Sequence, residues 1–310
     1  MSHRTTHPPF PIQTAPMGSL SSSPYPWLML SALFHYLGPA FAVLLFPHVG
    51  VLGIAWFRIA TAAGIFALWS RPWRTFRRAG VRERQLILAL GVCLAMMNTS
   101  FYLAIDRLPL GLVATLEFAA VIAVAAYGLR TQRNTLALAL ASLGALQLTH
   151  ASWAKDSLGL CFALLNALLF AAYLVLGHRL AQEGATNGIH RLAASMGIAF
   201  LLILPVGLGE ATAALASPTL VLAGIGVGIC SSVIPYICDQ VVMARLPRPT
   251  FALYLSILPA IAVLLGALVL GQIPTLRDLL GIALVMAGLG LHRPDNPSPP
   301  PNAALPSAVD

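Results

Sequence analysis

Charged residues are scarce in this chain of 310 amino acids: Asp, Glu, Lys and Arg together make up 9% of it, whereas 58% is hydrophobic. Soluble domains carry about 25% charged residues, so a water-soluble globular protein is excluded. Runs of roughly 20 apolar residues recur along most of the sequence, and that length crosses a bilayer as a helix. The composition therefore predicts an all-α polytopic membrane protein.

Cysteine is also sparse, and the common catalytic motifs are missing. The cysteines lie inside apolar runs without CxxC spacing, which supports neither a disulfide framework nor a zinc site. HExxH, GxSxG and aspartate-rich diphosphate-binding motifs are absent from the sequence, so we predict a protein that is not an enzyme and needs no metal or cofactor. A channel or an intramembrane enzyme of unknown substrate remains the alternative. The cysteines are Cys93, Cys161, Cys230 and Cys238.

The apolar runs divide into ten candidate transmembrane helices. Short connections, such as the turn near Pro47, force neighbouring helices to be antiparallel. Residues 1–26 and 292–310 are rich in proline and lack an apolar run, so they are predicted to be disordered extensions. The candidate helices span residues 27–47, 49–69, 86–105, 109–129, 134–150, 157–177, 189–209, 219–241, 250–270 and 274–291.

Most cations fall on one side of this ten-helix arrangement. Of the 18 Lys and Arg residues, only Arg107, Lys155 and Arg277 fall on the other side, and Arg58 lies inside a span. Because cytoplasmic loops carry the excess of positive charge, both termini are predicted to be cytoplasmic. The net charge of +8 is thus an orientation signal and not a nucleic-acid-binding surface.

A weak internal repeat divides the chain into two halves. The tripeptide RLP recurs at 107–109 and 245–247, a spacing of 138 residues. The first copy lies outside and the second inside in the predicted topology, so the two halves have opposite orientations. Two inverted five-helix repeats, here 27–150 and 157–291, are typical of secondary transporters that bind substrate near the membrane midplane.

Two charged residues stand in the middle of apolar spans. Glu117 lies eight residues past Pro109, roughly 12 Å below the predicted outer boundary, and Arg58 lies within the second span. Such charges cost about 2.5–3.5 kcal/mol on insertion scales and usually face a cavity or a partner. We predict that Glu117 binds protons or a substrate amine; a buried structural carboxylate is the alternative. Arg58 needs an anion, either Glu117 as a fixed counter-ion or the carboxylate of a substrate.

Further polar residues could line a cavity beside these charges. Asn98, Tyr102 and Asp106 follow one another at four-residue spacing and share a face of the third helix, with Asp106 at the outer interface. Tyr236 matches Asn98 at the repeat spacing. Asp239 lies near the cytoplasmic end of the eighth helix, where a solvated interfacial acid is at least as well supported as a coupling group. The predicted substrate-binding or proton-coupling residues are Glu117, Arg58, Asn98, Tyr102, Tyr236 and Asp239.

Other residues inside the spans carry weaker signals. Prolines there free backbone carbonyls and can kink a helix, and tolerated kinks are favoured over hinges. Ordinary packing is favoured for the tyrosines and the asparagine. These prolines are Pro39, Pro205, Pro235 and Pro259, and the polar residues are Tyr36, Tyr173, Tyr254 and Asn166.

Three segments resemble a known family. LFPHVGVLGIAWFRIA (45–60), MNTSFYLAIDRLPLGLVATLEF (97–118) and IPYICDQVVMARLPRPTFALYLSILPA (234–260) are similar to the ten-helix EamA-type proteins of the drug/metabolite transporter superfamily, in particular the threonine/homoserine exporter group. The resemblance implies proton-driven efflux of small metabolites, often amino acids, across the bacterial inner membrane. It also implies ten spans with both ends cytoplasmic, and it puts Glu117 and Arg58 on charged positions of the pattern.

The sequence departs from that group at several charged positions. Val43 stands where the first helix usually has a lysine, Leu258 and Gln272 stand where glutamates are usual, and Asp239 takes the place of another glutamate. These differences leave the substrate and the coupling stoichiometry open. We predict a secondary exporter working by alternating access, whose partners are protons, a small-molecule substrate and the lipid bilayer, with protonation of Glu117 alternating with substrate binding.

Overall fold

Helices make up the regular structure of the computed structural model, which describes residues 24–126, 131–153, 156–182, 184–246 and 258–291. No strand occurs within those ranges. In chain order the helices are α1 (Tyr25–Val49), α2 (Val51–Ser70), α3 (Pro72–Arg78), α4 (Val81–Ile105), α5 (Leu110–Ala126), α6 (Gln132–Trp153), α7 (Ser157–Ala181), α8 (Ala185–Leu215), α9 (Pro218–Met243), α10 (Leu258–Leu270) and α11 (Leu276–Leu291).

Six of these helices, α1, α2, α4, α7, α8 and α9, are long and apolar enough to cross a membrane. Helix α10 and the stretch Leu110–Ala119 of α5 are apolar but shorter. This architecture supports the predicted polytopic, all-α class. The count of ten spans and the two inverted repeats remain predictions.

The predicted disordered extensions fall almost entirely outside the described residues. Helix α1 begins at Tyr25, two residues before the predicted start. Prolines are tolerated in a first helical turn, because their missing N–H groups have no partner there in any case. Pro24 and Pro26 therefore do not delay the start of α1.

A short helix, α3, links α2 to α4, and the sequence analysis did not predict it. Helix α2 ends at Ser70 and is followed by Arg71, whose left-handed backbone (φ 46°) reverses the chain. Pro72 then occupies the first turn of α3. Arg84 of α4 donates hydrogen bonds to the carbonyl oxygens of Phe76 (3.1 Å) and Arg77 (2.5 Å). These bonds satisfy carbonyls at the C-terminal end of α3, which need donor partners outside the helix.

The turn between α1 and α2 is held by a carboxylate from α8. Glu210 accepts hydrogen bonds from the backbone N–H groups of Leu52 (2.8 Å) and Gly53 (3.1 Å), at a helix N-terminus where such groups lack internal partners. Gly50 has φ 81°, and a Cβ there would lie 2.2 Å from a Glu210 oxygen. This contact determines where α2, the helix that carries Arg58, begins.

Asp156 caps α7 in a similar way. Its carboxylate accepts a hydrogen bond from the Gly159 N–H (2.8 Å) and pairs with Arg107 (3.2 Å). The Gly159 N–H first, and Arg107 in addition, hold the pKa of this exposed carboxyl below its usual range. The cap ties the turn after α4 to the start of α7, the helix that carries Asn166.

Glycines let the helices approach one another closely. A Cβ added at Gly207 of α8 would lie 2.6 Å from the Leu52 carbonyl oxygen and 2.6 Å from the Trp56 Cβ in α2. A Cβ added at Gly38 of α1 would lie 2.6 Å from the Cβ of Ser231 in α9. Small residues are the usual means by which membrane helices pack. Helices α1, α2, α4, α5 and α7 thereby meet around a central chamber.

Candidate functional site

Glu117 of α5 lines this chamber and is hydrogen-bonded to side chains of two other helices, α1 and α7. Its carboxylate, on α5, accepts hydrogen bonds from the Tyr36 hydroxyl of α1 (2.6 Å) and from the Asn166 amide of α7 (2.5 Å). The side chain is 3% exposed. Sequence reasoning favoured ordinary packing for Tyr36 and Asn166, whereas the structure uses both to bind a buried acid. Burial requires such partners, because an unpaired charge inside a protein is costly.

Arg58 of α2 has its own set of partners. Its Nε donates to the Ser232 hydroxyl and its terminal nitrogen to the Ser231 carbonyl, each at 2.7 Å. The guanidinium also lies 5.9 Å from the ring centre of Phe101 and 5.4 Å from that of Tyr102, within the range of a cation–π contact. Neutral groups and aromatic faces therefore hold this 3% exposed cation.

The Ser231 carbonyl is free to accept from Arg58 because of a local irregularity in α9. Residues Ile229–Val233 form a π-helical turn within this helix. Pro235, four residues beyond Ser231, has no N–H with which to close the usual α-helical bond. Single π-turns occur frequently at functional sites. The sequence analysis predicted that Pro235 kinks its helix. Its effect on a hydrogen bond of Arg58 could be seen only in the structure.

Arg58 and Glu117 face the same chamber without forming an ion pair. Among the described side chains, the ion pairs join Arg107 to Asp156 and Arg191 to Glu83. The fixed pairing that the sequence left open is therefore absent. The chamber measures about 10 Å³, room for about one water molecule. Besides the two charges, it is lined by His35, Met97, Asn98, Phe101, Asn166 and Phe170.

One acceptor at the chamber wall lacks a partner. Asn166 is completely buried, and its side-chain carbonyl oxygen makes no hydrogen bond within the described part of the chain. Buried polar atoms are normally hydrogen-bonded, and an exception needs an explanation such as a bound molecule. The amide of Asn166 thus donates to Glu117 and leaves an acceptor beside it.

Asn98 and Tyr236 close a neighbouring part of the site. The Asn98 amide donates to the Leu94 carbonyl (2.6 Å) and lies 3.3 Å from the Tyr236 hydroxyl. Tyr102 belongs to the same region through its ring, which lies against Arg58. The structure therefore places Arg58, Asn98, Tyr102 and Tyr236 close together, but only Arg58 and Asn98 of these four line the chamber. Their part in binding substrate stays a prediction.

Asp239 is a second buried acid. The sequence analysis considered a solvated position for it at the membrane interface, and the structure shows that this is wrong. Its carboxylate accepts hydrogen bonds from the Ser31 hydroxyl (2.6 Å) and the Tyr173 hydroxyl (2.9 Å), and the side chain is 3% exposed. Helices α1 and α7 cover it, so nearness to a helix end in sequence did not mean contact with water. Tyr173 packs against Tyr236 with ring centres 5.5 Å apart, which connects this acid to the chamber region.

The remaining predicted residues lie elsewhere. Asp106 is exposed at the C-terminal end of α4 and does not line the chamber. Tyr254 lies outside the described residues. Of the positions that depart from the family pattern, Leu258 is buried, and Gln272 accepts a hydrogen bond from the Leu110 N–H (3.0 Å) at the start of α5. Gln272 therefore has a capping role that needs no charge.

Ser31, Ser231 and Ser232 were missed as functional candidates. A serine in an apolar span carries little signal by itself, because its hydroxyl can bond to its own helix. Their partners are 174 residues away for Ser232 and 208 for Ser31. Within the described chain, no three His, Cys, Asp or Glu side chains are grouped so as to hold a metal ion.

Apolar helices around a small chamber that is lined by an arginine and a glutamate without an ion pair between them are typical of one class, the multi-pass membrane transporters. Comparison with known proteins narrows this class. Residues 157–292 match the EamA-like transporter family. The chain belongs to this family, and it is a transporter and not an enzyme.

Curated relatives cover nearly the whole chain. It is 33% identical over 282 residues to the threonine/homoserine exporter RhtA of Escherichia coli K12, a match that covers 88% of this chain and 94% of that protein. It is 32% identical over 257 residues to RhtA of Salmonella typhimurium LT2, covering 82% and 85%. The family resemblance drawn from the sequence is confirmed. The family and the apolar helices indicate a multi-pass protein of the bacterial inner membrane.

A solved crystal structure shares the fold. Its TM-score to this chain is 0.56 with 17% identity, and the match covers 87% of this chain and 96% of the other. At this identity the likeness concerns the architecture alone.

Proposed function

We propose that this protein exports small metabolites, amino acids or related compounds, from the cytoplasm by proton-coupled alternating access. The single observation that carries the proposal is the chamber where Arg58 and Glu117 face one another without pairing. The printed names of the curated relatives, threonine/homoserine exporters, point to the same class of cargo.

An α-amino acid is complementary to this pair of charges. Its carboxylate would bind the guanidinium of Arg58, which presents several N–H donors in a planar fork. Its ammonium group would lie against Glu117 and the unpartnered side-chain oxygen of Asn166. Since the chamber has room for about one water molecule, an amino acid would enter it only after the helices separate.

Proton coupling follows from competition for Glu117. The substrate ammonium and a proton both neutralise the carboxylate, so binding of one favours release of the other. Tyr36 and Asn166 donate hydrogen bonds to the Glu117 carboxylate from α1 and α7. A protonated carboxyl is a weaker acceptor than a carboxylate, so protonation of Glu117 would loosen these bonds and link proton binding to movement of α1 or α7.

The proposed topology has ten spans in two inverted repeats, with both termini in the cytoplasm. Asn98 and Tyr236 support it: they are in contact and 138 residues apart, the same spacing as the repeated RLP. Equivalent residues of two repeats meet where they lie close to the symmetry axis that relates the repeats. The site would then stand at the repeat interface, where such transporters bind substrate.

The test compares Glu117→Gln with the matched control Asp106→Asn in proteoliposomes loaded with labelled threonine or homoserine. An imposed pH gradient should drive transport by the wild type and by the Asp106 variant, since Asp106 is exposed and away from the chamber. The Glu117 variant should lose this response while its unfolding temperature stays near that of the wild type.

Full retention of pH-driven transport by the Glu117 variant would remove this residue from the coupling mechanism. Counterflow separates a carrier from a pore in the same vesicles. A carrier shows saturable flux accelerated by substrate on the opposite side, whereas a pore shows flux that rises linearly with concentration.

A further inference from the structure

A second cavity, far larger than the central chamber, opens at the end of the bundle where α3 lies. It measures about 470 Å³, the size of a typical small-molecule site. It lies between the end of α2, the short helix α3 and the first turns of α4 and α8. We refer to it as the arginine cleft, because Arg71, Arg74, Arg78 and Arg191 line it.

The charges of the arginine cleft are unbalanced. Glu83 is the acidic side chain that lines it, and Glu83 pairs with Arg191. Within the described chain, the guanidinium groups of Arg71, Arg74 and Arg78 take part in no hydrogen bond or ion pair. Three arginines thus converge on one concave site with unused donors. Such a site fits a phosphate group, whose oxygens accept several N–H bonds at once.

Arg191 is a fixed part of this site. Its guanidinium pairs with Glu83 and also donates to the Leu180 carbonyl (3.0 Å), so it bridges α4, α7 and α8. Arg71 occupies its place through a left-handed backbone, which is uncommon for a side chain other than glycine. The cleft is therefore shaped by three long helices and a sharp chain reversal, and not by a freely moving loop.

The exposed residues around the cleft are of the types found at a membrane surface. Trp69, which lines it, is 56% exposed, and Trp73 on α3 is 51% exposed. Leu68 is also strongly exposed. Tryptophans concentrate at the level of lipid headgroups, and a large apolar side chain is exposed without penalty when acyl chains cover it. A phosphate bound among these arginines would be at headgroup depth.

We propose that the arginine cleft binds the phosphate group of an anionic phospholipid, with the headgroup among Arg71, Arg74 and Arg78 and the acyl chains against Trp69 and Leu68. Basic pockets at the membrane surface bind lipid headgroups by this combination of charges and apolar flanks. A soluble phosphate ester shares the chemistry of the headgroup, but it would make no use of the exposed tryptophan and leucine. The inference is independent of the transport mechanism.

The experiment uses the full chain in phosphatidylcholine nanodiscs titrated with phosphatidylglycerol that carries brominated acyl chains, which quench tryptophan fluorescence. We expect saturable quenching that brominated phosphatidylcholine does not produce. A Trp69→Phe variant should lose most of this saturable component, because Trp69 lines the cleft. Equal quenching by brominated phosphatidylglycerol and brominated phosphatidylcholine would contradict the proposal of a site specific for anionic lipid.

Variants of α3 distinguish lipid binding at the cleft from non-specific attraction of anionic lipid to the positive surface. Arg74→Gln combined with Arg78→Gln should weaken phosphatidylglycerol binding by at least about tenfold, since each removes charge-assisted hydrogen bonds. Arg77→Gln is the control: it removes one positive charge from the same helix, against two in the double variant, and Arg77 does not line the cleft. It should weaken binding by less than about twofold. A control that weakens binding as much as the double variant would contradict the proposal.

Soluble glycerol 3-phosphate tests the source of the phosphate. In the lipid site we expect it to displace phosphatidylglycerol poorly even at millimolar concentration, because it lacks acyl chains. Full displacement of phosphatidylglycerol by glycerol 3-phosphate would contradict the lipid as ligand. If glycerol 3-phosphate then failed to bind the Arg74 and Arg78 double variant, the cleft would be a site for a soluble phosphate ester.

Discussion

At the scale of single residues, the site is organised by hydrogen bonds to buried charges. Glu117 and Asp239 each accept from two donors on other helices. In water such bonds would add little, whereas an unsatisfied buried group costs about 1–3 kcal/mol. The two acids therefore stabilise a particular helix arrangement.

The bond between Tyr173 and Asp239 can be measured by a double-mutant cycle of Tyr173→Phe and Asp239→Asn. Hydrogen bonds between membrane helices average about 0.6 kcal/mol, with a maximum near 1.7 kcal/mol. We expect a coupling energy in that range from the free energies of unfolding in detergent micelles. Tyr173→Phe combined with Asp106→Asn is the control and should be additive within about 0.5 kcal/mol. Additivity in both cycles would mean that the contact contributes nothing.

At the scale of elements, helix α9 carries the irregularity on which Arg58 depends. The π-turn at Ile229–Val233 and the proline that follows it leave the Ser231 carbonyl available to the guanidinium. An unbroken helix would satisfy that carbonyl internally and leave a buried cation short of a partner. The irregular turn of α9 therefore supplies an acceptor to the buried Arg58 guanidinium.

Substituting Pro235 by alanine tests this dependence. The new N–H at residue 235 can bond to the Ser231 carbonyl, so Arg58 loses an acceptor and shifts. We expect the KM for transported amino acid to rise several-fold while the unfolding temperature is maintained or increases, because helices gain stability when proline is removed. Hydrogen exchange should show protection at the new amide.

The matched control is Pro205→Ala in α8, a proline within a helix but outside the chamber lining. Its KM should be close to that of the wild type. A normal KM in the Pro235 variant, with the amide protected, would show that Arg58 does not depend on this carbonyl.

At the scale of the whole molecule, the helices are positioned by close contacts between glycine and backbone. Helix α8 approaches α2 at Gly207 and caps it through Glu210. Because α2 carries Arg58, the position of α8 influences the chamber although none of its residues line it. Packing far from the site therefore determines whether the two charges face each other.

Gly207→Ala should force α2 and α8 apart, since its Cβ would lie 2.6 Å from the Leu52 carbonyl oxygen. Overpacking of this kind costs about 1–3 kcal/mol, and thermal unfolding should show the loss together with reduced transport. Gly209→Ala is the control on the same helix, where nothing lies within 4 Å of the added Cβ. It should be neutral or stabilising by up to about 1 kcal/mol, because alanine favours helix. Equal effects at both glycines would contradict the packing argument.

Much of this organisation could be predicted from the sequence, and the reasons are physical. Hydropathy and helix length are local properties, so the apolar runs predicted α2 and α7 within a few residues. The polar sequence of α3 carries no such signal, and this helix was not predicted. Charges isolated in apolar runs drew attention to Glu117 and Arg58, because burial makes them costly wherever the helices pack.

The sequence by itself determined the membrane class, the family and the two mid-span charges. Only the tertiary structure decided which groups surround them: the partners of Glu117 lie 81 and 49 residues away, and the nearer serine partner of Arg58 lies 173 residues away. Hydropathy tells where a helix runs but not how it is rotated or which neighbour it meets. The bonds of Asp239 to α1 and α7, like the absence of an ion pair between Arg58 and Glu117, depend on that rotation and packing.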